Sequence, residues 1–128
     1  MTILNFELLE GNYTIHQIDP GGRIPLNIFG SGFFSITKTA EELSIVCLKS
    51  IEIDDLNSSP DWSCMKLTGP LDLSLTGVLA NISKLLSDAE IPIFVISTYN
   101  TDYILVERIK TEKAIKTLKS AGHYFFSS

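Results

Sequence analysis

Between Trp62 and Phe126 the apolar residues switch between the period of a strand and the period of a helix, in the order β-α-β-β-α-β. "WSCMKLTG" reads as a strand. In "GVLANISKLLSDA", residues 77–89, Val78, Leu79, Ile82, Leu85, Leu86 and Ala89 recur at helical spacing, and Asn81, Ser83, Lys84, Ser87 and Asp88 fill the other face. "IPIFVIST" is rich in β-branched residues, as strands are. "DYILVE" returns after a turn at Asn100. "EKAIKTLKSA" forms a second helix, capped by Thr111. Its Glu112 stands at the positive end of the helix dipole, and Lys116 and Lys119 stand toward the negative end. Gly122 follows as a helix stop, and "HYFF" closes as a strand. This order is the split βαβ pattern of ferredoxin-like folds.

The first sixty residues are less regular. "ILNFELL" at 3–9 and "YTIHQI" at 13–18 alternate, and Gly11-Asn12 between them predicts a first hairpin. "DPGGRIPLNIFGSG" reads as a loop, because proline removes a donor and restricts its predecessor. "FFSIT" is a strand. "TAEEL" reads as one helical turn, with Thr39 as cap and Glu42 as its capping-box partner. "LSIVCL" is an apolar, central strand. "SIEIDDLNSSPD" is polar and turn-rich, and it marks a boundary between halves at 1–60 and 61–128. Thr76 or Ser74 is the expected cap of the first helix.

The totals exclude several classes. The chain has 128 residues, 45% of them hydrophobic and 20% charged, which are globular values. The net charge of −5 disfavours nucleic acid and anionic membranes. No apolar run is long enough to span a bilayer, and the N-terminus does not read as a signal peptide. A cytoplasmic protein is expected, with Cys47 and Cys64 as buried free thiols. No metal site, cofactor or catalytic set is signalled. His16 and His123 lie far apart in sequence, "GSGFF" lacks the rest of a phosphate loop, and "EIDDLN" lacks the spacing of a calcium loop.

The segment "DLSLTGVLANISKLLSDAEIPIFVIST" resembles the core of an ACT domain. Asp72 precedes Gly77-Val78-Leu79, and the next strand carries Ile91-Pro92-Ile93. "FFSITKTAEELSIVC", "LTGPLDLSLTGVL" and "ISTYNTDYILV" extend the resemblance to small two-ACT proteins related to the eukaryotic cytosolic arginine sensors and to the regulatory part of aspartate kinases. The resemblance implies an α+β fold. A ferredoxin-like βαββαβ ACT domain in the C-terminal half would pair with a degenerate, β-rich ACT-like N-terminal half. It also implies a non-catalytic regulatory module that binds an amino acid at an ACT–ACT interface, as a homodimer acting on a separate protein partner. An ACT pair that dimerises without a ligand is the alternative.

By that resemblance Gly77, Val78, Thr98, Tyr99 and Asp102 face the ligand. The chemistry of each residue type agrees. A helix start offers unpaired N–H groups to a carboxylate, and a glycine there either admits a ligand or permits tight packing on the sheet. Asp102 would hold a cationic group, with Thr98 and Tyr99 beside it. The competing reading is a turn in which Asn100 or Asp102 bonds its own backbone.

Overall fold

The computed structural model describes residues 3–68 and 77–127. The chain divides into two units, one of residues 1–10 with 63–128 and the other of residues 11–62. Residues 1–10 therefore belong with the C-terminal part, which a boundary at residue 60 does not provide for.

The first unit contains the strands β1 (Asn5–Leu8), the end of β5 (Asn57–Leu67), β6 (Ile93–Ser97), β7 (Asp102–Glu107) and β8 (Tyr124–Ser127), with helices α1 (Val78–Asp88) and α2 (Thr111–Ser120). From β5 onward the order is β-α-β-β-α-β, the ferredoxin-like order read from the sequence. The strands lie as β6-β7-β5-β1-β8. The N-terminal strand is thus wedged between the first and last strands of the βαββαβ unit. It runs antiparallel to β5, with Phe6 opposite Leu67, and parallel to β8, with Phe6 opposite Phe125.

This placement overturns the expected first hairpin. Gly11 does turn the chain, at φ +113°, where an added Cβ would meet Leu48 Cδ2 at 2.5 Å. A turn signal does not choose the partners, however. The alternation of Leu4, Phe6 and Leu8 is satisfied by the helix-covered face of the first unit's sheet. There they join Met65, Leu67, Ile104 and Val106. Ile82 and Leu86 from α1, and Ala114 and Leu118 from α2, each one helical turn apart, close the core from above. Phe6 and Phe125 stack at 4.9 Å within it.

Both helices end alike. In α2 the Gly122 N–H bonds the Lys119 carbonyl at 2.9 Å and the His123 N–H bonds the Leu118 carbonyl at 3.1 Å. In α1 the Glu90 N–H bonds Ser87 at 2.9 Å and the Ile91 N–H bonds Leu86 at 2.9 Å. These are Schellman motifs, which need a left-handed residue just past the helix. Gly122 supplies it at φ +100°, whereas α1 uses Glu90 at φ +61°. Thr111 is not the cap of α2. A 3-10 turn, Arg108–Lys110, precedes the helix, the N-cap is Lys110, and Thr111 Oγ1 donates to the Arg108 carbonyl at 2.9 Å.

The second unit is β-rich. β3 (Ser35–Lys38), β4 (Leu43–Leu48), β2 (Tyr13–Ile18) and residues 57–62 of β5 form an antiparallel sheet in that order. Its core gathers Ile18, Leu43, Ile45, Cys47, Ile51 and Ile28, the last from a 3-10 segment, Leu26–Gly30, inside the expected loop. Two expectations fail here. "TAEEL" is a hairpin turn between β3 and β4 and not a helical turn. The Thr39 hydroxyl still accepts the N–H groups of Glu41 and Glu42, both at 3.1 Å, but the backbone bond from Thr39 N to Glu42 O closes a hairpin. "NSSPD", read as part of a turn-rich stretch, is a strand. It is the first part of β5, and the irregularity that Pro60 brings is absorbed by a register shift opposite Tyr13/Ile15 and by Asp61 at φ +67°.

Candidate functional site

The first unit's topology decides which predicted residues lie near one another. β5 ends at Leu67, and the chain re-enters the described structure at Gly77, where α1 begins. The turn between β6 and β7 reaches the same end, because the Thr101 hydroxyl donates to the Leu67 carbonyl at 2.7 Å. Thr98, Tyr99 and Asp102 on the hairpin therefore lie at the end of the unit where β5 stops, and Gly77 and Val78 stand at the start of α1.

Gly77 is the N-cap of α1, at φ +79°, and among the described residues no side chain caps the helix. The expected caps Thr76 and Ser74, and Asp72 of the family pattern, lie outside the described residues. Among the described residues a Cβ at Gly77 would meet no heavy atom within 4 Å. Tight packing on the sheet is therefore not what selects the glycine; the left-handed backbone is. The position is exposed, and the first helical bond runs from Asn81 N to Gly77 O at 2.9 Å.

The hairpin is more fully bonded than its sequence suggests. Thr98 N donates to Thr101 O at 2.8 Å, Thr98 Oγ1 donates to the same carbonyl at 3.1 Å, and Thr101 N donates to Thr98 Oγ1 at 3.3 Å. Ser97 and Asp102 face each other in the ladder, and the Ser97 hydroxyl donates to Asp102 Oδ1. Asp102 thus has a structural partner within the hairpin. The turn rests on the two threonines and not on an Asn100 side-chain bond. Tyr99 stands at the tip and is 86% exposed. Thr101 went unmarked in the sequence reading. It is buried and ties the hairpin to the end of β5, and no periodicity sets it apart from Thr98.

A groove of about 570 Å³ opens at the other end of α1, lined by Ser83, Ser87, Glu90, Ile91, Pro92 and Ile93. None of the predicted site residues lines it. Among the described residues no three His, Cys, Asp or Glu side chains are grouped to hold a metal ion. Both cysteines are free and buried, and burial pushes Cys47 up to about 11 and Cys64 to about 12. They are protonated thiols at neutral pH and poor nucleophiles. His16 and His123 are buried, in different units.

An ACT-domain family model matches residues 57–120, and a second model, described as an N-terminal domain, matches residues 11–52. No curated protein matches the chain. Among solved structures, a protein from Agobacterium tumefaciens is 37% identical, with a TM-score of 0.90 over 100% of this chain and 96% of that one. The ligand-free regulatory subunit of aspartate kinase from Thermus thermophilus is 12% identical, with a TM-score of 0.62 over 91% of this chain and 96% of that one. An aspartate kinase from Clostridium acetobutylicum is 16% identical, with a TM-score of 0.64 over 86% of this chain and 33% of that one.

Proposed function

Because the chain belongs to the ACT-domain family, whose domains are regulatory and not catalytic, we propose that it binds a free amino acid and passes that signal to a separate protein. The observation that supports this reading is an exposed helix start at the left-handed Gly77, in the same unit as a polar hairpin tied to the end of β5. The N–H groups of α1's first turn receive the ligand carboxylate, helped by the helix dipole. Asp102 uses Oδ1 for Ser97 and offers Oδ2 to the ligand's cationic group. Thr98 and Tyr99 flank it, and a second ACT-type unit completes the pocket. The β-rich second unit, residues 11–62, supplies a degenerate ACT-like half. The protein works as a homodimer in the cytoplasm; among the described residues no helix is long and apolar enough to cross a membrane.

A second reading, an ACT pair that binds only protein, is favoured by the hairpin's own bonding. Ser97, Thr98, Thr101 and Asp102 already bond one another or β5.

Thermal denaturation against the twenty amino acids separates the two. A ligand that binds only the folded state raises the melting temperature with its concentration. One amino acid giving such a shift, lost in Asp102→Ala, supports the sensor. A flat screen on a folded protein sinks it and leaves the interaction module.

A further inference from the structure

His123 is the residue where α2 hands over to β8, and its ring is 3% exposed. Its Nδ1 accepts the backbone N–H of Leu4 at 3.0 Å. A ring nitrogen that accepts carries no proton, so the single proton of the neutral ring sits on Nε2. Nε2 is buried and has no hydrogen-bond partner among the described residues. The Phe6 ring stands edge-on at 5.8 Å and 78°. The neighbouring bond, from Tyr124 N to Leu4 O at 3.0 Å, completes a pair of bonds that hold Leu4 to the start of β8.

Protonating this ring has one structural result. The second proton can go only to Nδ1, where it removes the acceptor of the Leu4 N–H and sets two N–H donors face to face. It also places a charge in an apolar setting, which is costly without a counter-charge. Among the described residues the ionisable groups on the elements around it do not supply one. Glu112, Lys113, Lys116 and Lys119 on α2 and Tyr124 on β8 are exposed. Glu7 on β1 and Lys66 on β5 are register partners and alternate with Phe6 and Leu67, so they project from the opposite face of the sheet. None of these bonds the ring.

We propose that His123 is an acid-sensitive latch for the N-terminal strand: its neutral ring holds Leu4, and protonation releases β1 from between β5 and β8. The Asn5 carbonyl accepts both the backbone N–H of Thr68, at 2.9 Å, and its hydroxyl, at 3.1 Å. Release of β1 therefore also frees the end of β5, where the β6–β7 hairpin is tied by Thr101. Burial lowers the His123 pKa below its ordinary 6.5, so the latch is closed at neutral pH and strained below it.

Amide hydrogen exchange across a pH series reads the latch directly. In the wild type, protection factors at Leu4–Leu8 fall by up to about tenfold per pH unit below pH 6.5, the limit for one proton taken up on opening. Those in β6 and β7 stay higher at every pH, because they are lost only when the whole unit opens. In His123→Asn the side-chain carbonyl stands where Nδ1 stood and does not titrate, so the acid loss in β1 disappears. The latch is refuted if wild-type β1 protection holds in acid or equals that of β6 and β7 at every pH, or if His123→Asn loses it as the wild type does. Should His123→Asn fail to fold, nitrogen NMR of the wild-type ring decides: a proton on Nδ1 at neutral pH overturns the proposal, and a bare Nδ1 titrating with the loss of β1 protection upholds it.

Discussion

The hydroxyl of Thr101 donates to the carbonyl of Leu67, 34 positions earlier, and it does so in a buried setting. This bond joins the hairpin to the strand from which the chain leaves toward α1. Thr101→Val keeps the shape and deletes the donor. Removing one partner of a buried hydrogen bond costs about 1–3 kcal/mol. Urea titration of the variant is expected to show a loss in that range with an unchanged slope; a loss near zero would mean that water replaces the hydroxyl.

Glu90 ends α1 in a conformation that suits glycine. A left-handed residue with a side chain costs about 1–2 kcal/mol. Glycine removes that cost but gives back about 0.5–1 kcal/mol of chain entropy. Glu90→Gly should therefore stabilise the fold by up to about 1 kcal/mol, and Gly122→Ala should destabilise it by about the same amount. The two melting temperatures, moving in opposite directions, test whether both helix ends follow one rule.

Leu86 is fully buried between α1 and the sheet, and it is the residue whose carbonyl receives the Ile91 N–H. Leu86→Ala leaves a cavity in the first unit's core and should cost about 2–5 kcal/mol. Leu26→Ala, on an 83% exposed side chain, should shift stability little. Chemical denaturation of the pair separates a core position from a surface one.

Global stability should follow pH through His123. Its folded pKa lies below the unfolded value of 6.5, so the unfolded chain binds the proton more readily. Stability is fully present above pH 6.5 and is lost as pH falls from there toward the folded pKa. Unfolding free energies at pH 8, 7, 6 and 5 should decline over the last two steps. A decline that survives His123→Asn would assign it to other groups.

Cys47 and Cys64 should resist a thiol reagent at pH 8 in the native protein, since burial holds their pKa values near 11 and 12. Both should react once the chain is unfolded. Rapid labelling of either under native conditions would show that its part of the fold opens readily.

Much of this fold could be read from residue spacing, and the failures share a cause. "LSIVCL" and "DYILVE" are β4 and β7 to the residue, and the two helices follow their apolar stripes. Those elements depend on local periodicity, backed by burial on one face. β1 reads as a strand, but its partners are set by contacts with residues 65–67 and 124–127, which no local pattern encodes. "NSSP" reads as a turn because serine and proline usually break strands; a bulge lets it pair. At the candidate site, the types of Thr98 and Asp102 were legible, and their internal partners were not. Ser97 and Asp102 meet only because the hairpin register sets them opposite each other.

The wedged strand also has a consequence for synthesis. A ribosome makes β1 before either of its neighbours, and 119 positions separate Leu4 from His123. The segment from Gly11 to Trp62 holds all the strands of its own unit, so it can settle while β1 waits. β1 gains one edge when β5 emerges and the other only when translation has passed residue 127. Until then its apolar side chains and open backbone groups are a target for chaperones, and a stalled chain would present them unprotected.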